Sequence, residues 1–306
     1  MMHRMTGVVV VLMLLSGAGC KINEQDEVKL GRDNHAKFEQ EFGGRYNNPP
    51  VQQYVNSIGM SLARYAGRPD LDWQFHVLAS DQINAFAVPG GYIYITQGLL
   101  YRLNNEAQLA GVLGHEAGHI KHRHSVEQIQ KAQIAQGSAG VAGVVGAVFG
   151  VGGVGDLVGV AAQLSLLKYG RDQEREADFS GLNYMSQGGW NPQGIVQTMQ
   201  ILKAASGPGG GQPSFLSSHP DPGDRAEYLA KEIREEYSAA AQGGKLGAPE
   251  FQANVLSKRR AALPPINLSQ PVAWCFTCQT DEVNRVVSGN TPTRENQELL
   301  RDVRSR

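Results

Sequence analysis

Apolar side chains recur at intervals of three and four residues along much of this chain, which is the spacing of one face of an α-helix. The first clear stretch begins at Pro50 and ends at Gly67, residue types that favour the start and the end of a helix. A second begins near Asn104 or Asn105, either of which can cap it, and more follow between 164 and 241. The pattern predicts a mainly α-helical protein, with inward positions in the first two helices at Val51, Tyr54, Val55, Ile58, Leu62, Leu109, Val112, Leu113, Ala117 and Ile120.

A short β region lies between these two helices. Trp73, Phe75 and Val77 occupy alternate positions, and two more strands are predicted at 84–88 and 92–96, on either side of a Pro-Gly-Gly turn. We expect a small antiparallel sheet directly ahead of the second helix. The fold class is therefore predicted to be α+β and mainly helical. Beyond Gly243 the pattern becomes irregular, apart from a last helical stretch near the end of the sequence.

The N-terminal residues predict export. Arg4 precedes a short apolar run that is too short to span a membrane, and small residues then lead to Cys20. Residues 1–19 are similar to a bacterial lipoprotein signal, after which Cys20 would be lipidated, although Gly17 replaces the usual aliphatic residue. An ordinary secretory signal is the alternative. Lys21 favours anchoring at the outer membrane of the periplasm, with residues 20–47 as a tether and N-terminal helix.

Composition excludes some functions. The chain has 306 residues, of which 41% are hydrophobic and 19% charged, so a folded protein with a sizeable core is expected. Its net charge of -1 argues against nucleic acid as a partner, because such binding needs a basic face.

The second helix contains the pattern H-E-x-x-H. His115 and His119 are four residues apart, so their imidazoles lie one turn apart on one face and can share a tetrahedral metal ion. Zinc suits such a site, because it binds neutral imidazole and leaves a position for water. Glu116 could take a proton from that water. If Glu174 supplies a third ligand, Asp178, four residues later on the same helix face, can accept an N–H from a ligand histidine; a solvated acidic helix face is the alternative.

The order of four short motifs resembles that of the zinc metalloendopeptidases of the HtpX and CAAX prenyl protease family, especially their exported bacterial lipoprotein members. The resemblance spans residues 84 to 225 and implies a gluzincin-type metallopeptidase domain, which we place at 48–242. The motifs are Asn84-Ala85-Phe86-Ala87 with Pro89-Gly90-Gly91, His115-Glu116-Ala117-Gly118-His119, Glu174-Arg175-Glu176-Ala177-Asp178, and Ser218-His219-Pro220-Asp221-Pro222 followed by Arg225.

The resemblance also implies residue roles. One zinc ion per chain would be bound by His115, His119 and Glu174, with Glu116 as the catalytic base and Asp178 behind the ligands. The catalytic set would be completed by His219 and Arg225, of which His219 either stabilises the oxyanion or blocks the open metal position at rest. Strand residues Asn84, Ala85, Phe86 and Ala87 would bind substrate as an added strand, unless they only cover the core.

Three features remain outside the motifs. His122 and His124 do not fit a third-ligand position, and we expect both to be solvated near the end of the helix. Residues 138–162 are rich in Gly, Ala and Val and predict a flap beside the site, with a membrane hairpin as the alternative. Cys275 and Cys278 predict a local disulfide in a C-terminal extension, 243–306, of unknown role.

These patterns predict a zinc-dependent endopeptidase that cleaves unfolded or misassembled cell-envelope proteins, held to the membrane by its lipid anchor. The alternative is an envelope chaperone or assembly factor with a zinc site whose proteolysis is repressed. A membrane-integral peptidase is the third hypothesis, if 138–162 inserts into the bilayer.

Overall fold

The computed structural model describes residues 22–135, 168–206, 213–220 and 222–259. The predictions for the signal segment and Cys20, for the flap at 138–162 and for Cys275 and Cys278 lie outside these residues. In the described part of the chain, no helix combines the length and the apolar character that crossing a bilayer requires.

The protein is mainly helical, with one small sheet, as predicted. In chain order the elements are α1 (Glu24–Glu41), α2 (Pro49–Ala63), β1 (Gln74–Leu78), β2 (Ala85–Val88), β3 (Tyr92–Thr96), α3 (Gln97–Leu100), α4 (Glu106–Lys121), α5 (His124–Ala135), α6 (Arg171–Gln187), α7 (Gln193–Ala205), α8 (Phe215–Ser218), α9 (Pro222–Glu236), α10 (Ser238–Gly243) and α11 (Ala248–Asn254).

Helix α4 is the centre of the fold. Asn105 caps it by accepting a hydrogen bond of 2.8 Å from the backbone N–H of Gln108, and every residue from Glu106 to Ile120 is buried. The helix packs against α2, α6 and α7 and against the sheet. A helix that is buried on all sides has no polar face, so neighbouring elements must satisfy the side chains that its H-E-x-x-H pattern carries inside.

Glycines allow α4 to approach its neighbours closely. A Cβ on Gly111 would lie 2.8 Å from Ile195 Cα of α7, and a Cβ on Gly118 would lie 2.8 Å from Ala177 Cα of α6. Each glycine costs about 1 kcal/mol of helix propensity relative to alanine. The backbone contacts that these glycines permit offset that cost.

The sheet is mixed, so the prediction of an antiparallel sheet is wrong for one of its three strands. Strand β3 lies in the middle, antiparallel to β2 and parallel to β1. β2 and β3 form the predicted hairpin, in which Gly90 and Gly91 adopt positive φ angles of 89° and 99°. The chain between β1 and β2 is not a tight hairpin turn, so β3 can insert between them and bond to both.

Helices α1 and α11 pack against the body of the protein. α1 contributes Phe38 to a second apolar cluster with Phe86 and Tyr94 of the sheet. α11 adds Phe251 to the main core, although the sequence predicted irregular structure there. A single large apolar residue, Phe251, in a short helix that follows Gly247 is too weak a periodic signal to be recognised.

We expect Gly111→Ala to lower the free energy of unfolding by about 1–3 kcal/mol, because its Cβ must push the backbone of α7 away from α4. The measurement is urea unfolding followed by circular dichroism. Gly243→Ala is the matched control, since nothing lies within 4 Å of its Cβ, and it should be neutral or stabilising by up to about 1 kcal/mol. Equal effects of the two substitutions would contradict the close-packing argument.

Candidate active site

The two histidines of α4 point into the protein interior. Both side chains are at most 1% exposed, and their ring centroids are 4.6 Å apart. Their Nε2 atoms face each other at 3.0 Å. The four-residue spacing predicted this geometry, and burial of the whole helix brings it inside.

Two other elements bring acidic and imidazole groups to the same place. Glu174 comes from the first turn of α6, and His219 directly follows α8. His219 Nδ1 lies 2.9 Å from Glu174 Oε1 and 3.2 Å from His115 Nε2. Four buried side chains each offer one donor atom here, and these four atoms all lie within 4.8 Å of one another. The residues are His115, His119, Glu174 and His219.

Asp178 lies behind this group. Its Oδ1 is 2.9 Å from His115 Nδ1, and it accepts two hydrogen bonds, of 2.9 and 2.7 Å, from Arg225. The hydroxyl of Tyr228 donates to its other oxygen. Burial alone would raise the pKa of Asp178, but the charge of Arg225 and the hydrogen bond from His115 outweigh burial and hold that pKa well below its usual value. The carboxylate is therefore ionised and keeps the proton of His115 on Nδ1.

Arg225 joins the two acidic residues of α6. Besides Asp178, its guanidinium contacts Glu174 Oε2 at 2.5 Å, and the arginine is only 3% exposed. Burial would raise the pKa of Glu174 as well, but Arg225 and then His219 lower it well below the usual value. The planar guanidinium matches this pair of carboxylates, so Arg225 holds the site together from behind.

Glu116 has the opposite environment. It is fully buried, and neither carboxylate oxygen has a hydrogen-bond partner among the described residues. Its nearest charged neighbour is His219, whose Nε2 lies 3.6 Å from Oε1. Burial raises the pKa of Glu116, and this effect outweighs the opposing influence of His219 and His115. A carboxylate with a raised pKa and no donors attached is well suited to accept a proton.

His124 is buried, which corrects the expectation that it would be solvated. It is 2% exposed, and its Nδ1 lies 2.9 Å from Nδ1 of His119, while its Nε2 lies 3.0 Å from Glu176 Oε2. The reason is Arg123, whose positive φ of 57° ends α4 and turns the next residue inward. His122 is exposed, as predicted, and contacts the Ser180 hydroxyl at 2.9 Å.

Tyr169 is a second residue that the sequence pattern did not identify. Its ring stacks on His119 with centroids 4.0 Å apart, and its hydroxyl is 2.9 Å from that of Ser125. It directly precedes the glycine that caps α6, and residues 168–170 are not helical, although the apolar pattern predicted a helix there; no catalytic or metal-binding motif includes it.

The predicted strand motif lies beside α4 as the edge strand β2. Among the described residues β2 pairs only with β3, and it contacts α4 on one side. The Ser125 hydroxyl reaches the Ala87 carbonyl at 3.5 Å, and Asn84 is buried directly before the strand. The motif is therefore close in space to the helix with the two histidines.

The donor set fits a tetrahedral metal ion. Two ligands held about 2.0–2.1 Å from such an ion are about 3.3 Å apart. The imidazole nitrogens here are separated by 3.0 and 3.2 Å. The Nε2 of His115 faces the centre with its lone pair, because Asp178 holds the proton on Nδ1. This buried group of histidine and glutamate side chains is able to bind a metal.

A buried helix with H-E-x-x-H, joined by a glutamate from a second helix, is the arrangement of a metallopeptidase. Sequence comparison identifies the family. A model described as "Peptidase family M48" matches residues 49–233, so the chain belongs to this family. The family confirms the resemblance drawn from the four motifs.

Relatives include a mitochondrial metalloendopeptidase, OMA1, of Schizosaccharomyces pombe, 30% identical over 68% of this chain and 61% of its own length. The beta-barrel assembly-enhancing protease of Escherichia coli K12 is 27% identical over 69% of this chain and 44% of its own length. Metalloprotease YcaL of the same strain is 28% identical over 52% of this chain. The matched region covers less than two thirds of each of these relatives.

We expect Arg225→Met to destabilise the metal-free protein at pH 7 by about 3–5 kcal/mol, because two buried carboxylates lose their cation. In the unmodified protein Asp178 has a lowered pKa, so it stabilises the fold above its unfolded pKa of about 3.9 and loses this effect as pH falls through the folded pKa. Without Arg225, burial raises the pKa of Asp178. In the variant this carboxylate therefore takes up a proton at a higher pH, which removes its unpaired buried charge. The difference in the free energy of unfolding between the variant and the unmodified protein should therefore shrink as the pH falls from 7 to 4.

The measurement is urea unfolding in the presence of a chelator at several pH values. Arg234→Met is the matched control, since Arg234 is exposed on the same helix, and it should change stability by less than about 0.5 kcal/mol. A cost for Arg225→Met that stays constant from pH 7 to pH 4 would contradict the ion-pair assignment.

Proposed function

We propose that this protein is a zinc-dependent endopeptidase that cleaves unfolded or misassembled cell-envelope proteins, with one zinc ion bound by His115, His119 and Glu174. The observation that carries the proposal is the pairing of this convergent donor set with Glu116, a buried carboxylate without hydrogen-bond partners among the described residues. A structural metal site would not need such a group beside it.

Bound zinc would polarise the scissile carbonyl and lower the pKa of a water molecule to about 7. Glu116 accepts the proton of that water, because its raised pKa makes it a stronger base than an exposed glutamate. The same carboxyl group then returns the proton to the leaving amine. Arg225 and Asp178 keep the glutamate and histidine ligands in place during both steps.

His219 is assigned to the oxyanion. Burial lowers its pKa, but the carboxylates of Glu174 and Glu116 outweigh burial and raise the pKa above its usual value. The ring therefore keeps a proton that it can donate to a developing negative charge, an interaction worth about 3–4 kcal/mol in other peptidases.

Substrate would bind as an added strand on β2. Main-chain hydrogen bonds within 85–87 would recognise an extended backbone and tolerate many side chains, whereas the main chain of Asn84 already bonds to Thr96. An unfolded protein offers such segments and a folded one does not. A cavity of about 320 Å³ beside Glu174, Arg225 and Tyr228 offers further room next to the donor set.

The cell envelope is proposed from the N-terminal signal and Cys20, which would anchor the protein to the outer membrane on its periplasmic side. The name of the Escherichia coli relative, a beta-barrel assembly-enhancing protease, supports a substrate of the same class. The mitochondrial relative belongs to a different compartment, so location rests on this chain's own signal.

A second candidate function is an envelope chaperone or assembly factor whose proteolysis is repressed. One observation favours it: His219 Nδ1 is 3.2 Å from His115 Nε2, so its ring lies where a fourth metal ligand would be. A histidine in that position would exclude the water that hydrolysis needs.

We expect Glu116→Gln to reduce casein cleavage by the purified protein about 10²–10⁴-fold, because the amide cannot accept the proton. Both proteins should contain close to one zinc per chain by metal analysis, since Glu116 is not a ligand. Zinc in both with no cleavage in either would favour the repressed alternative. A chain without zinc would contradict the ligand assignment.

We expect His219→Ala to reduce kcat about 10²–10³-fold with little change in zinc content, because it removes an oxyanion donor. His219→Gln is the matched variant, since its amide can still donate a hydrogen bond, and it should retain more activity. The measurement is kcat on a fluorogenic peptide. Faster cleavage by the alanine variant would show instead that His219 blocks the metal position.

A further inference from the structure

His124 and Glu176 form a chain of contacts that the proposed mechanism does not use. Nδ1 of His119 faces Nδ1 of His124 at 2.9 Å, and Nε2 of His124 faces Glu176 Oε2 at 3.0 Å. We propose that His124 and Glu176 act as a positioning pair that fixes the ring and the tautomer of His119 for metal binding. This inference rests on the zinc site proposed above.

The tautomers along this chain determine one another. His119 can direct the lone pair of Nε2 towards the metal only if its proton is on Nδ1. His124 Nδ1 must then accept a hydrogen bond from the Nδ1–H of His119, which requires the proton of the neutral His124 ring to be on Nε2. Glu176 is the acceptor at that position. The carboxylate at the end of the chain therefore sets the direction of both hydrogen bonds.

Without Glu176 the hydrogen bond between His119 and His124 could reverse its direction. His124 could then carry its proton on Nδ1 and donate a hydrogen bond to Nδ1 of His119. The proton of the neutral His119 ring would then be on Nε2. That proton would point at His115 Nε2, which is 3.0 Å away and already faces the centre with a lone pair. The two imidazoles would then share a proton in place of a metal ion.

The exposure of Glu176 argues against a purely structural role. Its side chain is 57% exposed, whereas His124 is 2% exposed. Removing an exposed carboxylate leaves no cavity and no buried charge, so the fold should tolerate it. The ring of His124 is also packed, with centroids 5.0 Å from His119 and 5.5 Å from His122.

Helix α6 would then supply three carboxylates with three different tasks. Glu174 belongs to the donor set, and Asp178 contacts His115 Nδ1 directly at 2.9 Å. Glu176 lies between them in sequence, leaves α6 on another side and reaches His119 through His124, the first residue of α5. Each histidine of the H-E-x-x-H pattern would thus be supported by a carboxylate, one directly and one through an imidazole.

The test compares Glu176→Ala and Glu176→Gln with the unmodified full chain. Zinc affinity is measured by competition with a chromogenic chelator, and the visible spectrum of the Co²⁺-substituted protein reports ligand geometry. We expect zinc binding about 10–100-fold weaker for Glu176→Ala and an altered Co²⁺ spectrum. Glu176→Gln should restore most of the affinity, because its carbonyl oxygen can still accept the His124 proton.

Two further variants separate positioning from packing. His124→Phe keeps a buried ring but removes the acceptor, and should weaken zinc binding at least as much as Glu176→Ala. His122→Phe is the matched control, since His122 stacks on the same ring but is not in the chain, and its affinity should not change. Thermal unfolding of the metal-free proteins should be the same for Glu176→Ala and the unmodified chain.

The outcomes distinguish this inference from the proposed function. An unmodified protein that binds no zinc would overturn both. An unmodified protein that binds zinc, with Glu176→Ala and His124→Phe within twofold of it and with unchanged Co²⁺ spectra, would overturn only the positioning role. Weaker binding by Glu176→Ala that Glu176→Gln fails to restore would also overturn it.

Discussion

The close contact between α4 and α6 is the constraint on which the rest of this structure depends. Gly118 lies against Ala177, and Gly114 lies against Gly181, where an added Cβ would come within 3.3 Å of the opposite backbone. Carboxylate side chains are short, so Glu174 can meet the histidines of α4 only if the two helix axes are this near. Burial of α4 on its other sides holds it in that position.

Electrostatics then separates two buried glutamates that lie in one cluster. Glu174 is next to Arg225, which lowers its pKa and keeps it an anion suited to a metal. Glu116 forms no ion pair with an arginine among the described residues, and burial raises its pKa in spite of the opposing influence of His219. Burial removes the hydration of both groups, and the position of one arginine contributes to shifting their pKa values in opposite directions.

Periodicity was sufficient for the helical framework, and spacing was sufficient for the two histidines of α4. His115 and His119 are local neighbours on one helix turn, so their common face follows from helix geometry alone. The link to Glu174 and His219 came from the motif order, and the structure brings these residues together. The pairing of β1 was predicted wrongly, because alternation identifies a strand but carries no information about its partner.

The sequence by itself determined that His115 and His119 share one face, since their four-residue interval is a property of a single helix. Tertiary structure decided which other side chains surround these two histidines. The inward turn at Arg123 buries His124, and the packing of α9 places Arg225 between Asp178 and Glu174. Such contacts join residues far apart in the chain or across a helix break, where no fixed period relates one position to the other.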